Sequence, residues 1–182
     1  MSRKPIKSLR TPNWRELPTY LRLKYAVREI FARFGMARFS VLTRQGSRLL
    51  IDRENFVDRH LLVRGTWEAE QLSTLKELTS QQYQPGEHAT FIDIGAHGGY
   101  YAIQMSKLMI FDHLLCIEAD AHNAAQLHAN LFLNDLTLDI NVIHGAATDK
   151  TGPVFLKPGQ QTNRGQSSVV GVSTSSTTEV RG

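Results

Sequence analysis

The sequence predicts an α/β domain carrying the first half of a doubly wound parallel sheet, with β-hairpin additions. Three observations carry this prediction. Short apolar, β-branched runs at Thr90–Ile94, His113–Ile117 and Asp139–His144 alternate with two helical stretches. That is the order of βαβ units joined by right-handed crossovers. The first run enters a glycine-rich turn, Gly95-Ala96-His97-Gly98-Gly99, and the second ends in an acid, Glu118.

Taken in order, residues 1–17 hold two prolines and no periodic pattern, and read as a flexible lead-in. From Leu21 to Phe34, Leu23, Val27, Ile30, Phe31 and Phe34 recur at helical spacing with Arg22, Arg28 and Arg33 between them. This amphipathic helix is expected to lie on the domain rather than on a membrane. Arg38–Thr43 and Arg48–Asp52 flank Arg44-Gln45-Gly46-Ser47 as a β-hairpin. Residues 67–83 predict a helix with Leu72, Leu75 and Leu78 inward.

After the glycine turn, Tyr100–Met109 continues as a helix. Asp120 can cap the next one, which runs through Leu133 and stops at Asn134-Asp135. Further on, Pro153–Leu156 and Ser168–Val172 alternate like antiparallel strands around a polar loop. Ser173–Thr178, nearly all hydroxyl residues, reads as a linker. The chain thus divides into a basic arm and amphipathic helix over 1–37, a hairpin and helix over 38–89, and the parallel-sheet domain over 90–182.

The 182 residues are 41% hydrophobic, enough for a packed core and too apolar for wholesale disorder. Cys116 is the single cysteine, which excludes an internal disulfide framework or a cysteine-rich zinc site. No apolar stretch approaches a bilayer span, and the basic N-terminus lacks a secretory apolar region. A cytoplasmic location is expected. Charge is lopsided: residues 1–50 carry twelve Lys and Arg against Glu16 and Glu29, a balance of +10 in a chain of net +4. Such an arm is expected to meet an anionic surface, either membrane or nucleic acid.

The chemistry concentrates at Phe91-Ile92-Asp93-Ile94-Gly95-Ala96-His97-Gly98-Gly99-Tyr100. A strand ending in glycines lets backbone approach a ligand, and the next helix directs unpaired amides into the same space. The nicotinamide fingerprint Gly-x-Gly-x-x-Gly fails here at its third and sixth positions. Asp-x-Gly-x-x-x-Gly instead resembles motif I of S-adenosylmethionine-dependent methyltransferases. Glu118 follows Gly99 by 19 residues, placing an acid beside the crevice where it can accept from both hydroxyls of a ribose. The histidines show no metal-ligand spacing, so no metal is expected.

Phe91–Tyr101, Cys116-Ile117-Glu118-Ala119, Asn130-Leu131-Phe132-Leu133-Asn134 and Gly145-Ala146-Ala147-Thr148-Asp149 together resemble the FkbM family of methyltransferases. Gly65-Thr66-Trp67-Glu68 and Asn163-Arg164-Gly165-Gln166-Ser167-Ser168 extend the resemblance to about residues 48–172. It implies a Rossmann-like methyltransferase fold, S-adenosylmethionine as cofactor, and methylation of a hydroxyl on a sugar or small metabolite. It further implies that Asp93, Gly95 and Gly99 shape the methionine pocket, with Ala96, His97 and Tyr100 in the same cofactor-binding turn. Glu118 would bind ribose, Ala119 would flank the adenine, Gly145 and Ala146 would pass under its edge, and Glu68 would close the pocket.

His97 stands where that family usually has asparagine, which implies a cofactor affinity that varies with pH near neutrality. The Lys-x-Asp-x-Glu-Gly segment that opens the second half of the family sheet is absent, as are the substrate-side residues after it. The resemblance therefore implies a truncated domain whose first strand exposes a free edge, and no residue matches the catalytic base. Two alternatives stand beside this reading. One is a methyltransferase of tRNA or another nucleic acid, motivated by the basic arm, although Gly145-Ala146-Ala147 replaces the acid usual after its third strand. The other is a non-catalytic cofactor-binding module.

Overall fold

Three parallel strands, β3 (Thr90–Ile94), β4 (His113–Glu118) and β5 (Ile140–His144), lie side by side in that order. Ile94 is level with Ile117, and Ile117 with Ile143. Helices α4 (Tyr100–Ser106) and α5 (Ala121–Leu133) make the two crossovers. The computed structural model describes residues 17–34, 37–83, 88–149, 152–160, 162–170 and 177–181. The predicted α/β class and the parallel sheet are both present, and residues 1–16 of the lead-in lie outside the described residues.

Right-handed crossovers running in one direction across the sheet deliver both helices to the same face. There Leu114, Cys116 and Ile140 pack with Ala102 and Ile103 of α4 and Leu127 and Leu131 of α5. The same core takes Leu49 and Ile51 from β2 (Ser47–Asp52), which pairs antiparallel with β1 (Phe39–Arg44). Asn130, buried in α5, fixes this hairpin to the glycine turn. Its Oδ1 accepts from Leu50 N–H at 2.6 Å, and its Nδ2 donates to Gly98 O at 2.7 Å.

Helix α1 (Thr19–Phe34) precedes the hairpin and packs on α2 (Phe56–Arg64); α3 (Ala69–Gln82) leads into β3, with Leu72 and Leu75 against the core as expected but Leu78 turned to the exposed side. The sequence carries no clear signal for α2. Its apolar residues Phe56, Val57, Leu61, Leu62 and Val63 are too bunched for clear helical periodicity. It stops at Gly65, whose φ of 83° lets its N–H reach back to Leu61 O at 2.7 Å. Two expected bounds move because backbone turns left-handed, at Glu68 (φ 45°) before α3 and at Met109 (φ 53°) after α4.

Strands β6 (Pro153–Lys157) and β7 (Ser168–Val170) pair antiparallel as expected. The linker reading is corrected at Thr178, which opens a further strand, β8 (Thr178–Arg181), antiparallel to β6. Thr178 and Val180 are β-branched and find a partner strand that local composition does not reveal. Positions 173–176 of that reading lie outside the described residues.

Candidate functional site

The carboxyl ends of the three strands meet at the glycine turn, the edge of an open α/β sheet where ligands bind. Gly95 and Ala96 both donate to Ile117 O, at 2.8 and 3.1 Å, lacing the turn to β4. Gly95 (φ 78°) and His97 (φ 50°) take left-handed backbone, which glycine adopts freely and histidine more readily than most residues. The His97 N–H donates to Glu118 Oε2 at 2.7 Å, and the Asp120 N–H donates to Oε1 at 2.8 Å. Glu118 thereby ties the turn to the start of α5 while keeping spare lone pairs on both oxygens. Asp120 caps α5, accepting from His122 and Asn123 N–H at 2.9 and 3.1 Å.

A cleft of two lobes straddles this turn, the lobes sharing Ile94, Gly95, His97 and Gly165. The larger, about 390 Å³, is walled by Asp93, Ala96, Tyr100, Tyr101, Trp67 and Glu68. The smaller, about 220 Å³, is walled by Glu118, Ala119, Asn123, Gly145, Ala146 and Arg164. Ten of the eleven residues expected at a cofactor site therefore line one continuous cleft. The eleventh, Gly99, lines neither lobe. It holds φ 77° where α4 approaches α5, and a Cβ there would collide with Leu127 Cδ1.

Asp93 is the electrostatic anomaly of the larger lobe. Burial, and secondarily the neighbouring Glu118, push its carboxyl up to about 6, although the Ala102 N–H bonds to it. Its Oδ2 is buried with no hydrogen-bond partner among the described residues. Across the lobe, Tyr101 Oη donates to Glu68 Oε2 at 2.8 Å; burial and this carboxylate both raise the phenol. Burial lowers His97, and its Nε2 lies 3.2 Å from Asn55 Nδ2. Burial disfavours the charged imidazolium, with the Asn55 amide as the ring's hydrogen-bond neighbour. The expected charge variation near neutrality thus moves to more acid pH.

Behind the cleft sits a buried polar cluster. Arg164, in a short 3₁₀ turn before β7, donates to Asp52 Oδ2 (2.8 Å), Gln126 Oε1 (2.8 Å) and Asn123 Oδ1 (3.1 Å). Arg38 reaches Asp52 from the other side with two bonds of 2.9 and 3.0 Å. Burial alone would raise Asp52, but the bonds from Arg38, Arg164 and the Glu54 N–H hold it at about 2. Asp58 is raised by burial despite bonds from Gln126 and the Asp52 N–H.

Sequence reasoning did not single out Asn55, Asp58, Tyr101 or Asn123 for this region. The available signal was Asn55 standing directly before an apolar run, a helix-start pattern. Trp67 stacks edge-on to His60 and Phe56 at 5.0 and 6.1 Å while also facing the cleft. Among the described residues, no three His, Cys, Asp or Glu converge on a metal-sized site.

No protein-family model matches the chain, and neither does any curated protein. Solved structures do. TYW2 of M. jannaschii in complex with AdoMet is 18% identical, with a TM-score of 0.45, over 61% of this chain and 45% of that one. A SAM-dependent methyltransferase from Agrobacterium tumefaciens is 16% identical, with a TM-score of 0.46, over 62% and 34%. The M. jannaschii tRNA m1G37 methyltransferase is 15% identical, with a TM-score of 0.42, over 59% and 29%. The chain spans less than half the length of each.

Proposed function

We propose that this chain binds S-adenosylmethionine and belongs to an enzyme that transfers its methyl group. The observation that carries the reading is a pair of carboxylates, Asp93 and Glu118, near the ends of adjacent parallel strands and flanking one two-lobed cleft. The unpartnered Asp93 Oδ2 fits the α-ammonium of the cofactor, a cation able to satisfy a buried acceptor. Glu118, already fixed through both oxygens, uses its remaining lone pairs on the two ribose hydroxyls. Ala119 flanks the adenine, and Gly145 and Ala146 form the floor beneath its edge. When bound, the cofactor supplies an electrophilic methyl group. The chain contributes orientation: Gly95 and His97 hold the turn, and Glu68 with Tyr101 closes the far wall of the larger lobe.

The acceptor we assign is a hydroxyl of a sugar or small metabolite, as the FkbM-type segments imply. The +10 balance of residues 1–50 favours a second reading, a nucleic-acid acceptor.

The test is calorimetric titration with S-adenosylhomocysteine, with NAD as control. Removing a charge-assisted bond of about 1.5–3 kcal/mol predicts that Asp93→Ala weakens binding about 10- to 100-fold. Glu118→Ala is expected to do the same. Binding of NAD alone would overturn the proposal. Tight tRNA binding that falls steeply with salt would select the second reading for the acceptor.

A further inference from the structure

Helix α1 has two unlike sides. On one, Leu21 and Tyr25 are half-buried, and the Arg64 guanidinium of α2 lies 5.2 Å from the Tyr25 ring centre. On the other, Tyr20, Leu23, Val27 and Ile30 stand 70%, 66%, 44% and 56% exposed, so the apolar stripe expected to lie on the domain faces away from it. At about 100° per residue these four positions share an arc of roughly 80°, a single continuous stripe. The helix also carries Arg22, Lys24, Arg28 and Arg33 against one acid, Glu29.

Two requirements must be met together: cover for an apolar stripe and a counter-charge for a basic helix. Nucleic acid offers phosphate but nothing for four adjacent apolar side chains. A second copy offers apolar cover but brings two net-positive helices against each other. An anionic lipid surface meets both requirements, because apolar groups enter the acyl boundary while basic groups meet the headgroups.

We propose that α1 seats the protein on an anionic phospholipid bilayer, lying in the plane of the interface with the Tyr20–Leu23–Val27–Ile30 stripe inserted. The helix docks on the surface without crossing; among the described residues no helix is long and apolar enough to span. Its opposite side stays on α2, so the domain is carried at the membrane face.

The test uses the full chain with vesicles of phosphatidylcholine alone or mixed with phosphatidylserine. Each basic residue near such a surface contributes, so affinity for mixed vesicles is expected to exceed that for neutral ones about tenfold or more, and to fall with salt. Leu23→Glu with Val27→Glu, both at exposed positions, removes this binding while leaving the unfolding transition in place. An environment-sensitive dye on Leu23→Cys shifts to the blue on mixed vesicles; Cys116 is buried and does not compete for the label. Three results would overturn the proposal. One is a dye that does not shift. Another is tRNA binding, with no vesicle binding, that the double variant leaves intact. The third is a concentration-dependent dimer that the double variant dissolves while vesicles remain unbound.

Discussion

On the helix-bearing face of the parallel sheet, Leu114, Cys116 and Ile140 are 6%, 0% and 3% exposed, whereas on the opposite face Ile92, Ile94 and Ile143 are 52%, 65% and 43% exposed. The strands are the same, and apolar residues stand on both sides. What differs is connectivity, since the crossovers place α4 and α5 together. Parallel sheets ordinarily have both faces covered, so the bare face is the unusual one. Asp93 shares its side of β3 with Phe91, and Glu118 shares its side of β4 with Cys116, so both candidate carboxylates belong to the covered face. Packing energy and both candidate carboxylates therefore lie on one side of the sheet, while the other leaves Ile92, Ile94 and Ile143 exposed.

The largest difference between the faces is expected at Arg164. Arg164→Met leaves the buried Asp52 with Arg38 as its remaining ion-pair partner and takes the donor from Asn123 Oδ1 and Gln126 Oε1. Breaking a buried pair from one side predicts a loss of about 3–5 kcal/mol, read from the urea midpoint. Arg164→Lys should recover little, because an ammonium cannot span three acceptors arranged around a planar fork.

A matched pair of truncations compares the faces directly. Leu127→Ala, at a fully buried position, is expected to lose about 2–5 kcal/mol. Ile94→Ala, across the sheet, should stay within about 0.5 kcal/mol. Equal losses would mean that the second face is covered in solution.

Asp93→Asn tests whether the covered face sacrifices stability for binding. The Asp93 carboxyl is raised to about 6, so its contribution to folding is complete below its ordinary value near 4 and is lost as pH rises through 6. A shift of about two pKa units corresponds to about 2–3 kcal/mol by pH 7. Asp93→Asn should flatten that decline, gaining about 1–2 kcal/mol at pH 7.5 while weakening S-adenosylhomocysteine. Asp52 has the opposite sign. Held at about 2, it stabilises above its ordinary value and loses that contribution as pH falls through 2.

The smallest effect on folding belongs to Ile92→Lys on the bare edge strand, expected within about 0.5 kcal/mol. Its visible consequence should be reduced self-association by light scattering, because charge on an exposed edge blocks strand addition.

The parallel strands and the glycine turn were legible because their signals are local: β-branched runs, a Gly cluster, and an acid at a fixed distance. The same holds for Asp120, whose capping bonds reach only two and three residues ahead. Arg164 could be placed in a segment but not in a role, since it meets Asp52 across 112 residues and Gln126 across 38. Asp58 was illegible for a related reason, and Asn55 offered a helix-start pattern with no hint of its place beside His97. Their helix is short, its apolar residues are bunched, and it is held by the tertiary contacts it makes. β8 was hidden because a strand of four residues is defined by its partner, β6. Gly99 shows the converse case, a residue prominent in the motif whose place in the fold is explained by packing against Leu127.

The Glu118 carboxylate accepts one backbone N–H from the glycine turn and another from the loop before α5. A ligand that bonds Glu118 therefore meets loops already held in place, and little chain entropy remains to be lost on association. Titrations at several temperatures should then give a heat-capacity change no larger than the apolar area the ligand itself covers. Severing either N–H bond would add the signature of loop ordering to the same titration.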